Sequence, residues 1–257
     1  MIARTTIAGF GAVLLLLSAA CGDDDSSSDA VDQPVTSVDG AADESENGRP
    51  DTFEEDLPVA EAAVLTLDDL PVGWSSKPRD DEEEDDDEYD QELADCMDMP
   101  VEEFADSGNP KAESETFVAE DDSEVEAEVV IAPTVDEATE DFERATSPEF
   151  LDCMREVLPA LMEQAAEDEG GEFTIADASI GPLRIEDSGD RSAAFRLTIS
   201  VEVDAFSVDF YSDILVAQVG RSTAQLSTLS LFSPRDVEFS QSLLDVMVDR
   251  IDVDAVS

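Results

Sequence analysis

The spacing of apolar and polar residues divides this 257-residue chain into three parts. Residues 7–17 are mainly apolar, whereas residues 22–56 are rich in Asp, Ser, Gly and Ala and carry almost no large apolar side chain. A segment of the second kind cannot bury enough surface to fold. We therefore expect a leader in residues 1–20, a disordered acidic tether in residues 21–56 and a single domain in residues 57–257.

Apolar residues recur at helical spacing in five segments of the expected domain. A short helix followed by a turn is predicted in residues 59–74, and further helices in residues 89–99, 134–145, 147–169 and 234–251. Ser147 followed by Pro148 is typical of a helix start. Pro159 is expected to kink the helix that they begin.

Seven other segments alternate apolar and polar residues with a period of two, as half-buried strands do. They are residues 114–120, 124–133, 172–180, 183–187, 192–204, 206–220 and 223–232. Short links join the last five, so these strands are expected to pair as antiparallel hairpins. The predicted fold class is α+β, with helices packed on an antiparallel sheet of about six or seven strands.

The leader has the features of an export signal. Arg4 supplies positive charge, the apolar run is too short to span a membrane, and Ser18 to Ala20 are the small residues that a signal peptidase requires. Cys21 follows them, so the segment resembles a bacterial lipobox, whose cysteine takes a diacylglyceryl group and becomes the first residue. We expect an anchor on the extracytoplasmic face of the cell membrane, because several acyl chains bind firmly. An ordinary signal peptide with a chance cysteine is the alternative.

Acidic residues dominate the charge of the chain. It has 67 acidic and 13 basic residues, a formal charge of -54, and only two lysines, Lys77 and Lys111. This charge repels nucleic acid and anionic headgroups and permits basic proteins, polyamines or weakly bound cations as partners. The acids are spread along the chain, which favours a halophilic origin. The nine acids of residues 80–88 are read as a solvated loop, with a loose calcium-binding loop as the alternative.

The cysteines and the missing histidines limit the chemistry. Cys96 and Cys153 remain after lipidation of Cys21, and in an exported chain we expect them to form a disulfide, with two buried thiols as the alternative. The chain has no histidine and no recognisable nucleophile, phosphate-binding or dinucleotide-binding motif. We therefore predict no catalytic residue, no metal ligand and no cofactor.

Trp74 is the only tryptophan and follows a Pro-Val-Gly turn. It is read either as a core aromatic that holds the turn or as one wall of a ligand cleft. The predicted function is non-catalytic and sensor-like: the domain binds a small apolar ligand or an envelope protein. Two alternatives stay open, an acidic structural or cation-buffering envelope protein and a hydrolase with a pair of carboxylates.

The layout of the chain resembles a group of actinobacterial cell-surface lipoproteins, similar to the extracellular sensor domains of mycobacterial-type serine/threonine kinases. The resemblance rests on Cys21, the acidic tether, "LTLDDLPVGW" at residues 65–74, one cysteine in each of two helical segments, and "VGRSTAQL" at residues 219–226. It implies a sensor or ligand-binding module without a settled ligand. It contains no catalytic signature.

Overall fold

The computed structural model describes residues 53–79, 86–101, 108–168, 173–203, 206–253 and 255–256. The helices are α1 (Phe53–Ala63), a 3-10 turn (Leu67–Asp69), α2 (Asp86–Met97), α3 (Val135–Ala145), α4 (Pro148–Asp168) and α5 (Val237–Arg250). The strands are β1 (Ser75–Lys77), β2 (Lys111–Glu113), β3 (Thr116–Val118), β4 (Glu124–Ile131), β5 (Phe173–Pro182), β6 (Arg191–Val203), β7 (Phe206–Val219) and β8 (Ser222–Leu231). Helix α1 begins at Phe53, before the predicted start of the domain at residue 57.

The strands form one antiparallel sheet in the order β1-β3-β4-β8-β7-β6-β5, and β2 pairs with β4 beside β3. Ser114 bridges the break between β2 and β3. Its N–H donates to the carbonyl of Ala127 at 2.8 Å, and its hydroxyl accepts from the N–H of Ala127 at 2.9 Å. The predicted α+β class, with helices packed on an antiparallel sheet, is therefore confirmed.

One face of the sheet, which we call the α4 face, is buried under α3 and α4. Its apolar side chains come from alternate positions of β5, β6 and β7 and pack against Leu158 and Met162 of α4: Ile180, Phe195, Leu197, Ile199, Val201 and Phe210. Phe142 of α3 packs on Ile214 and Val216 farther along β7. Thr134 caps α3, and its side chain accepts a hydrogen bond from the N–H of Glu137.

The opposite face, which we call the α5 face, is buried under α1 and α5. It buries alternate residues of β4, β8 and the second half of β7 against both helices: Val125, Ala127, Val129, Ile131, Ala224, Leu226, Leu215, Ala217 and Val219. Leu243, Leu244 and Met247 of α5 are at most 3 % exposed in this core. Asp236 caps α5 by accepting a hydrogen bond from the N–H of Glu238.

The strand predicted at residues 183–187 is absent, and this prediction is wrong. After Leu183, whose N–H donates to the carbonyl of Ala194, the segment runs as a loop. The N–H of Glu186 donates to the side chain of Gln241, and the hydroxyl of Ser188 donates to Asp245, so two hydrogen bonds hold this loop to α5 in place of a strand ladder. Leu183 and Ile185 still pack against the core, which explains the alternating pattern.

The segment "VGRSTAQL" contains the turn between β7 and β8, and its Arg221 connects both ends of the described domain. The guanidinium of Arg221 makes a two-pronged ion pair with Asp56 of α1, at 3.0 and 2.9 Å, and also donates to the carbonyls of Ala132 and Ala255. The N–H of Arg221 donates to the carbonyl of Val256 at 2.8 Å. Both charged side chains are almost buried, and Arg221 thereby links α1, the residue after β4 and the C-terminal segment.

Candidate functional site

The α5 face continues beyond its helices onto β5, β6 and the first half of β7, where its side chains are exposed or half-buried. They form two rows across the sheet. One row is Asp177, Ser200 and Asp209, and the other is Ser179, Thr198 and Tyr211. We call these six residues the open face. Their neighbours along the strands, such as Leu197, Ile199 and Phe210, are at most 3 % exposed on the α4 face.

Hydrogen bonds hold the centre of the open face in place. The hydroxyl of Ser200 donates to one carboxylate oxygen of Asp209 at 2.6 Å. The hydroxyl of Tyr211 lies 3.4 Å from the other oxygen. These bonds fix a carboxylate and a phenol ring side by side on a rigid strand pair, as a binding surface needs.

An ion pair between an arginine and an aspartate borders the open face on the side of α5. Arg196 of β6 donates two hydrogen bonds to the buried Asp213 of β7, and the cause of the raised pKa of Arg196 is chiefly this side-chain hydrogen bonding. It also donates to the carbonyl of Arg235 at 3.2 Å. The loop that leads into α5 is thus fixed against the rim of the open face.

Trp74 lies next to the loop that leads into α5, in contact with Arg235. Its ring stacks on Phe239 of α5 with centroids 5.7 Å apart, and the guanidinium carbon of Arg235 lies 5.2 Å from the Trp74 ring centroid. Arg235 also pairs with Asp121 at 2.7 Å. Trp74 is half-buried and packs against the core, while Arg235 connects it to the border of the open face. The structure therefore places Trp74 in a stack within the protein and next to the candidate site.

Phe232 stands at the end of β8 beside the row that contains Asp209, and its N–H donates to the carbonyl of Asp209 at 2.9 Å. Its side chain is 72 % exposed, and its backbone is left-handed with φ of 65°. That conformation costs an L-residue roughly 1–2 kcal/mol. A phenylalanine that is both exposed and strained contributes nothing obvious to the core, so it points to a role at the surface.

A second notable cluster lies, partly buried, on the α4 face around β2 and β4. Glu128 of β4 faces Glu113 of β2 and is 7 % exposed. Burial, together with the charge of Glu113 and a hydrogen bond to it, raises the pKa of Glu128 to about 8. Although burial opposes it, the charges of Arg79 and Lys111 hold the pKa of Glu113 below its ordinary value. The two carboxyls therefore share one proton near neutral pH.

The charges around this pair balance if one of the four carboxyls is neutral, and Glu128 has the pKa raised to about 8. Three cations of this corner pair with carboxylates: Lys77 with Glu124, Arg79 with Glu113 and Glu126, and Lys111 with Glu113. Glu128 is a fourth carboxyl without a cation of its own in this set. Its Oε2 has no hydrogen-bond partner within the described residues. Neutral Glu128 thus fits the charge count as well as its burial.

The disulfide between Cys96 and Cys153 is present and joins α2 to α4, with the two Cα atoms 5.7 Å apart, so this prediction is confirmed. Cys21 and residues 80–85 of the acidic run lie outside the described residues. Residues 86–88 belong to α2. Within the described part of the chain, no group of three or more metal-ligating side chains is close enough to hold an ion.

No helix in the described ranges is long and apolar enough to cross a membrane. Compared with known proteins, the chain matches no family model, and no curated sequence shows significant similarity to it.

Sequence reasoning identified Trp74 but missed the open face and Phe232. The strands that carry the open face were predicted, yet their alternating pattern does not reveal which face the helices leave uncovered. The left-handed backbone of Phe232 follows from the end of β8 and has no sequence signal, because glycine or asparagine is usual there. The Glu113–Glu128 pair likewise depends on the register between β2 and β4.

Proposed function

We propose that this protein is a surface lipoprotein, held on the extracytoplasmic face of the cell membrane by lipid on Cys21, whose folded domain binds an extracellular ligand or partner without catalysing a reaction. The lipobox and the acidic tether support the anchor. The exposure of Phe232 next to the open face is the observation that carries the binding role. The resemblance to sensor-type surface lipoproteins points the same way.

The open face suits recognition because it is rigid, polar and accessible. Antiparallel sheets often leave one face in water, so exposure alone is ordinary. Here it coincides with a strained, exposed aromatic residue, an ordered carboxylate at Asp209 and a phenol at Tyr211. Aromatic residues that combine an apolar body with limited flexibility are typical of binding surfaces.

The anchor is tested by Cys21→Ala in the native host. Loss of lipidation should release the protein into the medium, and the unaltered protein should show a diacylglyceryl cysteine at its mature amino terminus by mass spectrometry. Cys21→Ala protein that stays in the membrane fraction, or a mature terminus without lipid, would refute the anchor.

The binding role is tested by a photo-reactive amino acid placed at Thr198 on the open face, with a control at Glu61 on the exposed side of α1. Irradiation of living cells should give a discrete adduct from position 198 and not from position 61. Phe232→Gly should weaken that adduct. Equal adducts at both positions, or none at position 198, would count against a binding face.

The formal charge of -54 favours a second candidate, a cation-buffering envelope protein whose acidic surface is itself the function. Calcium titration separates the two: weak, salt-sensitive uptake over many carboxylates supports buffering, whereas one or two tight sites do not. The hydrolase alternative would draw on the facing pair Glu113 and Glu128, and it stays a prediction.

A further inference from the structure

We infer that the open face docks an extended basic segment of a partner protein, with its cationic side chains over Asp177 and Asp209 and its apolar parts against Tyr211 and Phe232. This inference rests on the proposed function and specifies its partner. It follows from the charge of the open face, the spacing of its rows and the conformation of Phe232.

The charge of the open face is negative and uncompensated. Among the described residues, neither Asp177 nor Asp209 forms an ion pair, and Glu202 on the same side of β6 is exposed and also unpaired. Arg196, two positions along β6 from Thr198, is engaged by the buried Asp213. A cationic occupant is therefore complementary, and an anionic one is repelled.

The spacing of the carboxylates fits a peptide better than a metal ion. Asp177 and Asp209 lie in one row, two strands apart, and neighbouring strands are about 4.8 Å apart, so the two carboxylates are on the order of 10 Å from each other. One ion cannot bridge that distance. In an extended segment, every second side chain points the same way, and such residues are about 7 Å apart. Two lysines at these positions are long enough to reach both carboxylates.

The neighbouring groups match the remaining parts of such a segment. Ser179 and Thr198 present hydroxyls that can bond peptide groups as donor or acceptor, and the hydroxyl of Ser200, which donates to Asp209, can still accept. Tyr211 offers an aromatic ring for the cation or its alkyl stem. Phe232 adds an exposed apolar surface at the end of the row, held there in a left-handed backbone conformation.

The test uses the full chain carrying Cys21→Ala and a fluorescein-labelled Lys-Ser-Lys-Ser-Lys peptide at 0.15 M NaCl, followed by fluorescence anisotropy. The double variant Asp177→Asn/Asp209→Asn should weaken binding about tenfold, because two charge contacts are lost. The charge-matched control Glu61→Gln/Glu140→Gln alters exposed acids on α1 and α3 and should change affinity less than twofold. Equal losses in both double variants would overturn the inference in favour of a diffuse acidic surface.

Phe232→Gly separates binding from stability. Glycine relieves the left-handed conformation, so the urea midpoint should stay the same or rise, while peptide affinity should fall about fivefold. Unchanged affinity would remove Phe232 from the site and overturn the inference. Spermine binding with the same dependence on Asp177, Asp209 and Phe232, and no peptide binding, would overturn the peptide in favour of a polyamine.

The outcome for the proposed function is distinguishable. If the photo-reactive residue at position 198 captures a neutral or apolar molecule while the basic peptide fails to bind, the partner class is wrong and the proposed function stands. If the peptide does not bind the open face and no photo-adduct forms there, both the inference and the proposed function are refuted.

Discussion

Replacing Glu128 with glutamine should remove a pH dependence of stability that the unaltered protein has. Glutamine keeps the shape of a protonated glutamate and can still donate to Glu113, but it does not titrate. In the folded protein the pKa of Glu128 is about 8, against an ordinary value of 4.5. Between those values the folded state holds one more proton than the unfolded state, so the free energy of unfolding falls as pH rises.

The size of the effect follows from the two pKa values. Each pH unit inside this window changes the free energy of unfolding by about 1.4 kcal/mol. Allowing for partial titration at both ends, the contribution of Glu128 should drop by about 3 to 4 kcal/mol from pH 5 to pH 8. The stabilisation is complete below pH 4.5 and is lost as pH rises through about 8.

Urea unfolding, followed by the fluorescence of Trp74, measures this effect at fixed salt and at each pH unit from 5 to 8. The difference between Glu128→Gln and the unaltered protein isolates one group, because the other carboxyls are common to both. Glu115→Gln, at an exposed site between β2 and β3, is the matched control and should show no such trend. If the difference for Glu128→Gln stays constant within about 0.5 kcal/mol, Glu128 is ionised in the fold and the reasoning is refuted.

Three further predictions concern the rest of the fold. Arg221→Ala should lower the free energy of unfolding by about 3–5 kcal/mol, because it leaves Asp56 charged and almost buried; a loss under 1 kcal/mol in urea unfolding would contradict this. Gly220→Ala should lower the free energy of unfolding by more than about 2 kcal/mol, because φ is +56° and a Cβ would lie 2.3 Å from the carbonyl oxygen of Val256. Gly181→Ala is the control and should leave that free energy unchanged, because its Cβ would have no atom within 4 Å. The melting temperature should rise as NaCl increases from low to molar concentration, because salt screens the charge of -54. A melting temperature that does not rise would argue against a halophilic origin.

The elements with strong local patterns were predictable. Helices α3 and α4 and strands β6 to β8 follow the periods that their sequences show, and the disulfide was predicted from the expected export and the two cysteines that remain after Cys21. The exception is residues 183–187, where the same alternation belongs to a loop. There Leu183 and Ile185 contact the core, but the N–H of Glu186 bonds to a side chain of α5 that is 55 residues away along the chain.

Strand β4 shows, at Glu126 and Glu128, that alternation along the sequence does not predict burial. Its alternation predicted a water-facing side for Glu126 and Glu128, yet both are buried, at 9 % and 7 % exposure. Their burial depends on Arg79 and on Glu113 and Lys111 of β2, which only the fold brings together. A local pattern reports that two faces differ, and it cannot report what covers the polar one.

The sequence by itself determined the acidic charge, the periods of most helices and strands and the absence of histidine, and it predicted an export leader with a lipid site at Cys21, because these are properties of composition and of neighbouring residues. The tertiary structure alone decided which part of the sheet stays open, that Phe232 stands exposed beside Asp209, and that Glu128 shares a proton with Glu113. These features arise from strand register and helix placement, which are set by contacts between residues far apart in the chain.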